Sequence, residues 1–131
     1  MVKIRASCLV IGDKFSPTTF ATLSSVKLTD TGEPGAIGTA GRYQGKTTPY
    51  GHATIEVSDK AEKDWSRFED LLTLIASCID AIRKAGAEDI TLHCSLFHDG
   101  QCNFGFSHDQ LKRIASLKID MAISCYNDEL E

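Results

Sequence analysis

The chain lacks the apolar segment that a membrane-spanning helix requires. Of its 131 residues, 42% are hydrophobic, but no apolar run approaches the ~20 residues that cross a bilayer. The first residues lead directly into a strand pattern and not into the long apolar stretch of a secretory leader. The sequence therefore predicts no membrane partner, and the expected compartment is the cytoplasm.

A disulfide framework is also missing. Five cysteines are an odd number, and none of them forms a Cys-x-x-Cys pair. Free thiols in a reducing compartment are the expected state of such a set. Four of the five fall on apolar positions of predicted elements, where Cys packs as a small hydrophobe. The five are Cys8, Cys78, Cys94, Cys102 and Cys125.

Basic charge is not in excess. Fourteen Lys and Arg oppose eighteen Asp and Glu, which gives a formal net charge of -4. Nucleic-acid-binding proteins usually carry a clustered basic excess, and here the cations are scattered, so we expect no nucleic-acid partner. Mild acidity instead favours encounter with a basic protein. Residues 127–131 are acidic and are expected to form a tail.

Glycine and proline are scarce outside one stretch. Six of the ten glycines, together with Pro34 and Pro49, lie between Asp30 and Gly51. Such a stretch has little to bury and is costly to order. It is therefore predicted to be a long loop, an irregular hairpin, or both, and is referred to below as the 30–51 segment. Loops of this length inside compact domains are often functional or disordered.

Alternating and helical patterns outside the 30–51 segment predict an α+β fold in a single domain, 1–131. Ser16-Pro17 starts a short helix, while Ser66 with Glu69 and Ser107 with Gln110 each form a capping box. A turn with left-handed Gly100 pairs Cys94 with Phe104 in a hairpin. Helices are predicted at 17–24, at 66–85 and from 107, and strands at 4–12, 26–28, 52–57, 90–97, 102–106 and 121–125.

This order predicts a largely antiparallel sheet with helices packed on one face. The first six elements have the ferredoxin-like order β-α-β-β-α-β. The remaining elements extend that order by a further β-α-β.

Three catalytic or metal-binding patterns are incomplete. Residues 40–47 resemble a phosphate-binding loop, but Ala40 replaces the first glycine and a strand follows where a helix is needed. His93, Cys94, His98 and Cys102 crowd one hairpin, yet strand alternation sends His93 and Cys94 to opposite faces, so no zinc site is expected.

Cys8, Cys94 and Cys125 point into the apolar layer, where thiols are inert. Trp65, just ahead of Ser66, is predicted to pack near the start of the 66–85 helix as a hydrophobic staple. We expect no catalytic residue, no metal and no cofactor, and hence no enzyme.

The chain resembles the bacterial domain-of-unknown-function family 4279. The resemblance rests on residues 6–17, on the Gly45-Lys46 loop with the strand after it, on the helix that includes 68–72, and on Gly105-Phe106-Ser107 through to Tyr126. It implies a small bacterial α+β domain and transfers no catalytic residue. Small bacterial domains of this kind are often suspected to be immunity proteins of toxin systems.

Two functional hypotheses follow. The first is a cytoplasmic, non-catalytic protein-binding domain, an immunity or regulatory protein that neutralises a partner through Arg42, Tyr43 and Lys46 of the 30–51 segment. The alternative is a small-ligand or anion-binding domain that uses the same segment against a polar sheet face with His52 and His93.

Overall fold

The computed structural model describes residues 2–39, 41–57 and 65–127. Within this part the chain has an α+β fold with one mixed five-stranded sheet and three helices. The last four residues of the predicted acidic tail lie outside it. In chain order the elements are β1 (Val2–Gly12), α1 (Pro17–Leu23), β2 (Thr29–Gly32), a 3₁₀ turn (Gly41–Tyr43), β3 (Gly51–Ile55), α2 (Ser66–Lys84), β4 (Asp89–His98), α3 (His108–Leu117) and β5 (Asp120–Asn127).

The sheet has the strand order β2-β3-β1-β4-β5. The central strand β1 pairs antiparallel with β3 and β4, and β2 pairs antiparallel with β3. The fourth pair, β4 with β5, is parallel. Since parallel neighbours need a crossover connection, α3 carries the chain back to the start of β5. The sheet is thus mixed and not purely antiparallel.

The core lies between one face of the sheet and the helix layer. Helix α2 packs on β1 and contacts both α1 and α3. Its buried positions recur at helical spacing, as the sequence predicts. Among the described helices none is long and apolar enough to span a membrane. The largest fully buried side chains are Phe15, Phe20, Phe68, Ile4, Ile55, Leu71, Leu72, Ile75, Ile82, Leu92, Leu96 and Val10.

The predicted strand at 102–106 is wrong. Gly100 does adopt a positive φ of 101°, but the chain continues as a loop into α3 and makes no hairpin. Both edges of β4 are already occupied, one by β1 and the other by β5. Phe106 instead packs its ring against Phe68 and Trp65, at centroid distances of 5.2 and 6.0 Å. The expected strand at 26–28 is also displaced, because β2 begins at Thr29.

Two of the three predicted helix starts are confirmed. Ser16 Oγ accepts a hydrogen bond from the Thr19 amide at 3.1 Å, and Ser107 with Gln110 forms a complete capping box. Ser66, in contrast, is the first residue of α2 and not its cap. Trp65 stands at the cap position without a capping hydrogen bond from its side chain, and its Nε1 donates to the Val2 carbonyl at 3.1 Å.

The thiols divide into two groups. Cys8, Cys78 and Cys94 are buried, as expected of core positions. Cys125 is exposed, so its predicted place inside the apolar layer is wrong. It is aligned with the buried Leu96 across the β4–β5 pair, but β5 is an edge strand whose side chains are mostly exposed.

Candidate functional site

The 30–51 segment is an irregular hairpin. It rises from the antiparallel β2–β3 pair, in which Gly32 lies opposite His52. Its two arms are joined by backbone hydrogen bonds and by isolated bridges between Ile37 and Thr47 and between Gly38 and Gln44. We use "the hairpin" for its described residues 33–39 and 41–50. The bonds across it run from the amides of Gly35, Gly38, Gly45 and Thr48 to the carbonyls of Thr48 (2.8 Å), Lys46 (2.8 Å), Gly38 (2.9 Å) and Ala36 (2.9 Å), respectively.

Glycine is required at two points of the hairpin for different reasons. A Cβ at Gly38 would overlap the carbonyl oxygen of Tyr43 on the opposite arm. Gly45 turns the chain with a φ of 73°, a conformation that other residues adopt only with strain. The glycine content that suggested a loop therefore builds a specific, closely packed turn.

Glu33 fixes the base of the hairpin to the body of the protein. Its carboxylate accepts hydrogen bonds from the Thr18 amide at 2.9 Å and the Ser16 hydroxyl at 3.0 Å. Partial burial tends to raise the pKa of Glu33, but these hydrogen bonds outweigh it and hold the pKa below its ordinary value. The carboxylate thus provides a hydrogen-bond acceptor for a backbone amide in the first turn of α1.

A row of contacting side chains runs from the hairpin tip to the sheet. The guanidinium of Arg42 lies 5.7 Å from the Tyr43 ring centre, within cation–π range. The Tyr43 and Tyr50 rings meet edge to face at 5.9 Å, and Tyr50 meets His52 at 6.1 Å. We name these four residues the Arg42–His52 row. The exposed Arg42 ends the row on the hairpin, and the partly buried His52 ends it on β3.

Three of the five predicted site residues, Arg42, Tyr43 and His52, therefore share one surface. Lys46 lies on the same hairpin with an exposed side chain. His93 does not join them, although it lies on the same strand-alternation face. His52 pairs with Ile11 of β1, and His93 pairs with Ser7, four residues away on the same strand. Since the two histidines also lie two strands apart, the distance between them is roughly 16 Å at ordinary strand spacings.

Sequence reasoning missed Tyr50, which links the hairpin to β3 through its two ring contacts. The signal was the alternation of β3 itself. Tyr50 stands two residues before His52, so extending the strand pattern backwards places both on one face. Pro49 and Gly51 on either side of Tyr50 indicated the loop instead.

A cleft of about 330 Å³ opens between the hairpin and α1. Its described lining includes the side chains of Asp30, Thr18, Thr48 and His52 but no Lys or Arg. Glu33 also lines it, and its carboxylate lies on the α1 side. The lining thus favours a small polar or cationic group over an anion. A shallower groove of about 550 Å³ adjoins it between α1 and residues 24–31.

The described residues contain no group of three or more His, Cys, Asp or Glu side chains that could hold a metal ion. Of the four residues considered for zinc, Cys94 is buried, whereas Cys102 is partly exposed. His98 Nδ1 is 3.0 Å from the Gly100 carbonyl oxygen, within hydrogen-bonding distance.

A second cation–aromatic arrangement lies at the far end of the same sheet face. Arg5 lies over the Phe97 ring at 5.4 Å, and Phe97 stacks on Tyr126 at 5.3 Å. We name these three residues the Arg5–Tyr126 row. Phe97 pairs with Lys3 whereas His52 pairs with Ile11, so the two rows lie roughly 26 Å apart along the strands.

Comparison of the chain with protein-family models, curated proteins and solved structures gives no match. Function must therefore be inferred from the residues of this chain and their contacts.

Proposed function

We propose that the chain is a non-catalytic protein-binding domain whose contact surface is the hairpin with the Arg42–His52 row. The row combines Arg and Tyr, the residue types that most often dominate binding energy at protein interfaces. Ile37 on the same hairpin is 62% exposed, which adds apolar surface beside these polar anchors. A partner of basic character fits the net charge of -4.

The observation that carries this proposal is the preorganisation of the hairpin. Its arms are joined by four backbone hydrogen bonds of 2.8 to 2.9 Å, and its base is held to α1 by Glu33. A loop that is ordered before binding avoids the entropic cost of ordering at the interface. The free chain thus already has the ordered hairpin that it presents to a partner.

The state of two buried thiols supports a function in which these cysteines are not nucleophiles. Burial raises the pKa of Cys8 and of Cys94 to about 12, with the neighbouring Cys78 adding to the effect at Cys8. Thiols with such pKa values stay protonated at neutral pH and react poorly as nucleophiles.

The biological setting belongs to the same proposal. The resemblance to the bacterial family 4279 supports a cytoplasmic immunity or regulatory protein that neutralises a partner. The strand order β2-β3-β1-β4, antiparallel at every step, supports the ferredoxin-like order of the first six elements. An immunity role predicts that a toxin encoded beside this gene loses its lethality when the two are co-expressed. Unchanged lethality would contradict that role but not the binding surface.

Quantitative capture from a lysate of the source organism tests the contact surface. The tagged chain is compared with Arg42→Ala/Tyr43→Ala and with Arg5→Ala/Tyr126→Ala, a control that removes the same residue types from the other row. We expect the first variant to lose about tenfold or more of the captured partner, since two interface anchors are removed. The control should stay within about twofold of the parent chain.

Three outcomes of this experiment are decisive. Selective loss in the hairpin variant supports the proposal. Loss only in the Arg5→Ala/Tyr126→Ala variant moves the contact surface to the other end of the sheet. Equal capture by all three proteins removes both rows as anchors and overturns the proposed surface.

The cleft beside the hairpin favours a second candidate, a binding site for a small polar ligand. Its volume of about 330 Å³ lies in the range of small-molecule sites. A ligand that binds the folded chain raises its melting temperature, so a thermal-shift screen with metabolites tests this function. A rise in the parent chain that is lost in His52→Ala would favour the ligand. No rise with any compound leaves protein binding as the better account.

A further inference from the structure

The strand β5 is an open edge of the sheet. In the described part of the chain it pairs with β4 alone, in a continuous parallel register that runs from Asp120 opposite Thr91 to Asn127 opposite His98. Alternate residues of such a strand direct their backbone N–H and C=O groups away from the sheet. The edge of β5 therefore presents hydrogen-bonding groups over about 27 Å, and another extended strand is complementary to them.

The two edges of the sheet differ in how well they are protected. Edge strands commonly avoid pairing with other chains by being short, irregular or charged. The edge strand β2 has four residues and a register shift against β3, and Asp30 within it has a positive φ of 46°. By contrast β5 has eight residues, and residues 121–127 include no charged residue, proline or glycine. The β5 edge is therefore the one that can accept a further strand.

The helix layer does not extend over β5. Cys94 and Leu96 of β4 are buried beneath it. Their neighbours across the β4–β5 pair are Ile123 and Cys125, of which Ile123 is 44% exposed and Cys125 is also exposed. Apolar side chains of β5 thus continue the core face of the sheet without a covering element among the described residues.

Helix α3 adds an apolar side chain beside this edge. The helix connects β4 to β5 and contacts α2, which lies on the central strand β1, so its flank away from α2 faces the β5 edge. Arg113 bonds to Glu69 of α2, and Leu111 stands about 160° around the helix axis from Arg113. Leu111 is 51% exposed and therefore borders the exposed side chains of β5.

We propose that a second copy of this chain occupies the β5 edge, with the two β5 strands paired antiparallel about a twofold axis at Ile123. Residues 121–125 alternate between larger side chains (Met, Ile, Cys) and small ones (Ala, Ser), and this pattern is the same in both directions. Ile123 then lies opposite Ile123 of the second copy, and Met121 opposite its Cys125. A surface that is complementary to itself in this way is what a twofold dimer requires.

The pairing also satisfies the backbone groups of the edge. In this register residues 120–126 of the two copies oppose each other, which forms about six to eight backbone hydrogen bonds. The twofold axis is perpendicular to the sheet, so the helix-side faces of the two copies lie on the same side. Leu111 and Ile123 of each copy thus border one shared apolar groove above the paired strands.

The charge distribution permits two copies to meet at this edge although each has a net charge of -4. Asp120 is the one charged residue of β5, and the proposed register places it opposite Tyr126 of the second copy. The two Asp120 residues are then six strand positions apart, about 20 Å, which exceeds the screening length of about 8 Å at physiological ionic strength. No like charges therefore oppose each other along the paired strands.

The dimer does not depend on the proposed protein-binding function. The strand order β2-β3-β1-β4-β5 continues through β5 of the second copy, so the hairpins lie at the two outer ends of one sheet. Both hairpins remain free to bind. The dimer would present two identical contact surfaces facing away from each other.

Sedimentation equilibrium of the full-length chain over a range of micromolar concentrations tests the dimer. We expect the parent chain to reach about twice its mass of 14.3 kDa. Ile123→Lys places two like charges opposite each other at the twofold axis and should weaken dimerisation by more than about tenfold. Ile37→Lys makes the same substitution at an exposed position of the hairpin and should dimerise as the parent does. Circular dichroism checks the folding of each variant.

Mixing two variants tests the register. Ile123→Lys and Ile123→Glu should each be monomeric alone but should form a mixed dimer together, because opposite charges then face each other across the axis. Native mass spectrometry identifies the mixed species. The proposal is overturned if the parent chain stays monomeric, if Ile123→Lys dimerises as the parent does, if Ile37→Lys abolishes the dimer, or if the mixture forms no mixed dimer.

Discussion

At the scale of single residues, Glu33 shows how one carboxylate connects the hairpin to the domain. Its hydrogen bonds to Thr18 and Ser16 place negative charge at the start of α1, where the backbone amides favour it. We expect Glu33→Gln to lower the free energy of unfolding by about 0.5 to 1 kcal/mol at neutral pH. Urea denaturation measures this change, and Glu56→Gln on the neighbouring strand end serves as the control with little effect.

The pH dependence of this effect has a defined sign. The pKa of Glu33 is lower in the folded chain than its ordinary value of 4.5, so the charged carboxylate stabilises the fold above that pH. The contribution is lost as pH falls through the lower folded pKa. The difference between the parent chain and Glu33→Gln should thus shrink between neutral pH and about pH 3. A difference that grows on acidification would show that Glu33 does not act through its charge.

Gly51 tests close packing at the foot of the hairpin. A Cβ at this position would overlap the carbonyl oxygen of Phe15, whereas one at Gly105 meets nothing within 4 Å. We expect Gly51→Ala to destabilise the chain by about 1 to 3 kcal/mol. Gly105→Ala should have little effect. Chemical denaturation of the two variants checks the prediction, and equal stabilities would contradict the packing described for Phe15.

At the scale of elements, α3 is held to α2 by polar contacts on the surface. Glu69 accepts from Gln110 at 3.0 Å and from Arg113 at 2.7 Å. The Gln110 hydrogen bond, and then Arg113, outweigh partial desolvation and lower the pKa of Glu69. The Arg113 and Glu69 side chains are 33% and 48% exposed, so solvent screens the pair. A double-mutant cycle on Glu69 and Arg113 should give a coupling energy of about 0.5 kcal/mol that falls in about 1 M salt. A coupling above about 2 kcal/mol would contradict this screening.

The close contact between the two arms of the hairpin can be tested at Gly38. Since a Cβ at Gly38 would overlap the Tyr43 carbonyl oxygen, Gly38→Ala should force the two arms apart. We expect about tenfold weaker partner binding, with a change of about 1 kcal/mol or less in the free energy of unfolding, because the hairpin lies outside the core. Calorimetric titration with the captured partner measures both affinity and stoichiometry. Unchanged affinity would show that preorganisation of the hairpin does not contribute to binding.

The sequence predicted those elements that a local pattern determines, and it failed where a tertiary contact determines the structure. The stripe from Phe68 to Ile82 defined α2 because its burial follows helical spacing. The pattern at 102–106 failed because strand pairing depends on which edges of β4 are free, and that is a property of the whole sheet. Ser66 failed as a cap because Trp65, which bonds to Val2, continues the helical backbone one residue earlier.

The candidate site was predictable only in part for the same reason. Glycine content located the hairpin, and residue type selected Arg42 and Tyr43. Ring contacts through Tyr50 are tertiary, so sequence spacing did not include it in the site. Sequence reasoning also grouped His93 with His52, but the pairings place them four residues apart along β1 and on opposite sides of that strand.

At the scale of the whole molecule, the helices cover one face of the sheet and the hairpin extends from the β2–β3 end. The core accounts for the buried cysteines and for the apolar faces of β1 and β4. Two surface features remain at opposite ends of one sheet face, the Arg42–His52 row and the Arg5–Tyr126 row. The proposed binding surface and its control surface can thus be tested independently in one chain.

The most direct test of the proposed binding surface is hydrogen–deuterium exchange of the chain with and without its captured partner. The proposed surface predicts slower exchange in peptides that cover residues 33–50 and unchanged exchange in those that cover 93–99 and 121–127. Protection confined to the latter two regions, with the hairpin unaffected, would contradict the proposed function of the hairpin.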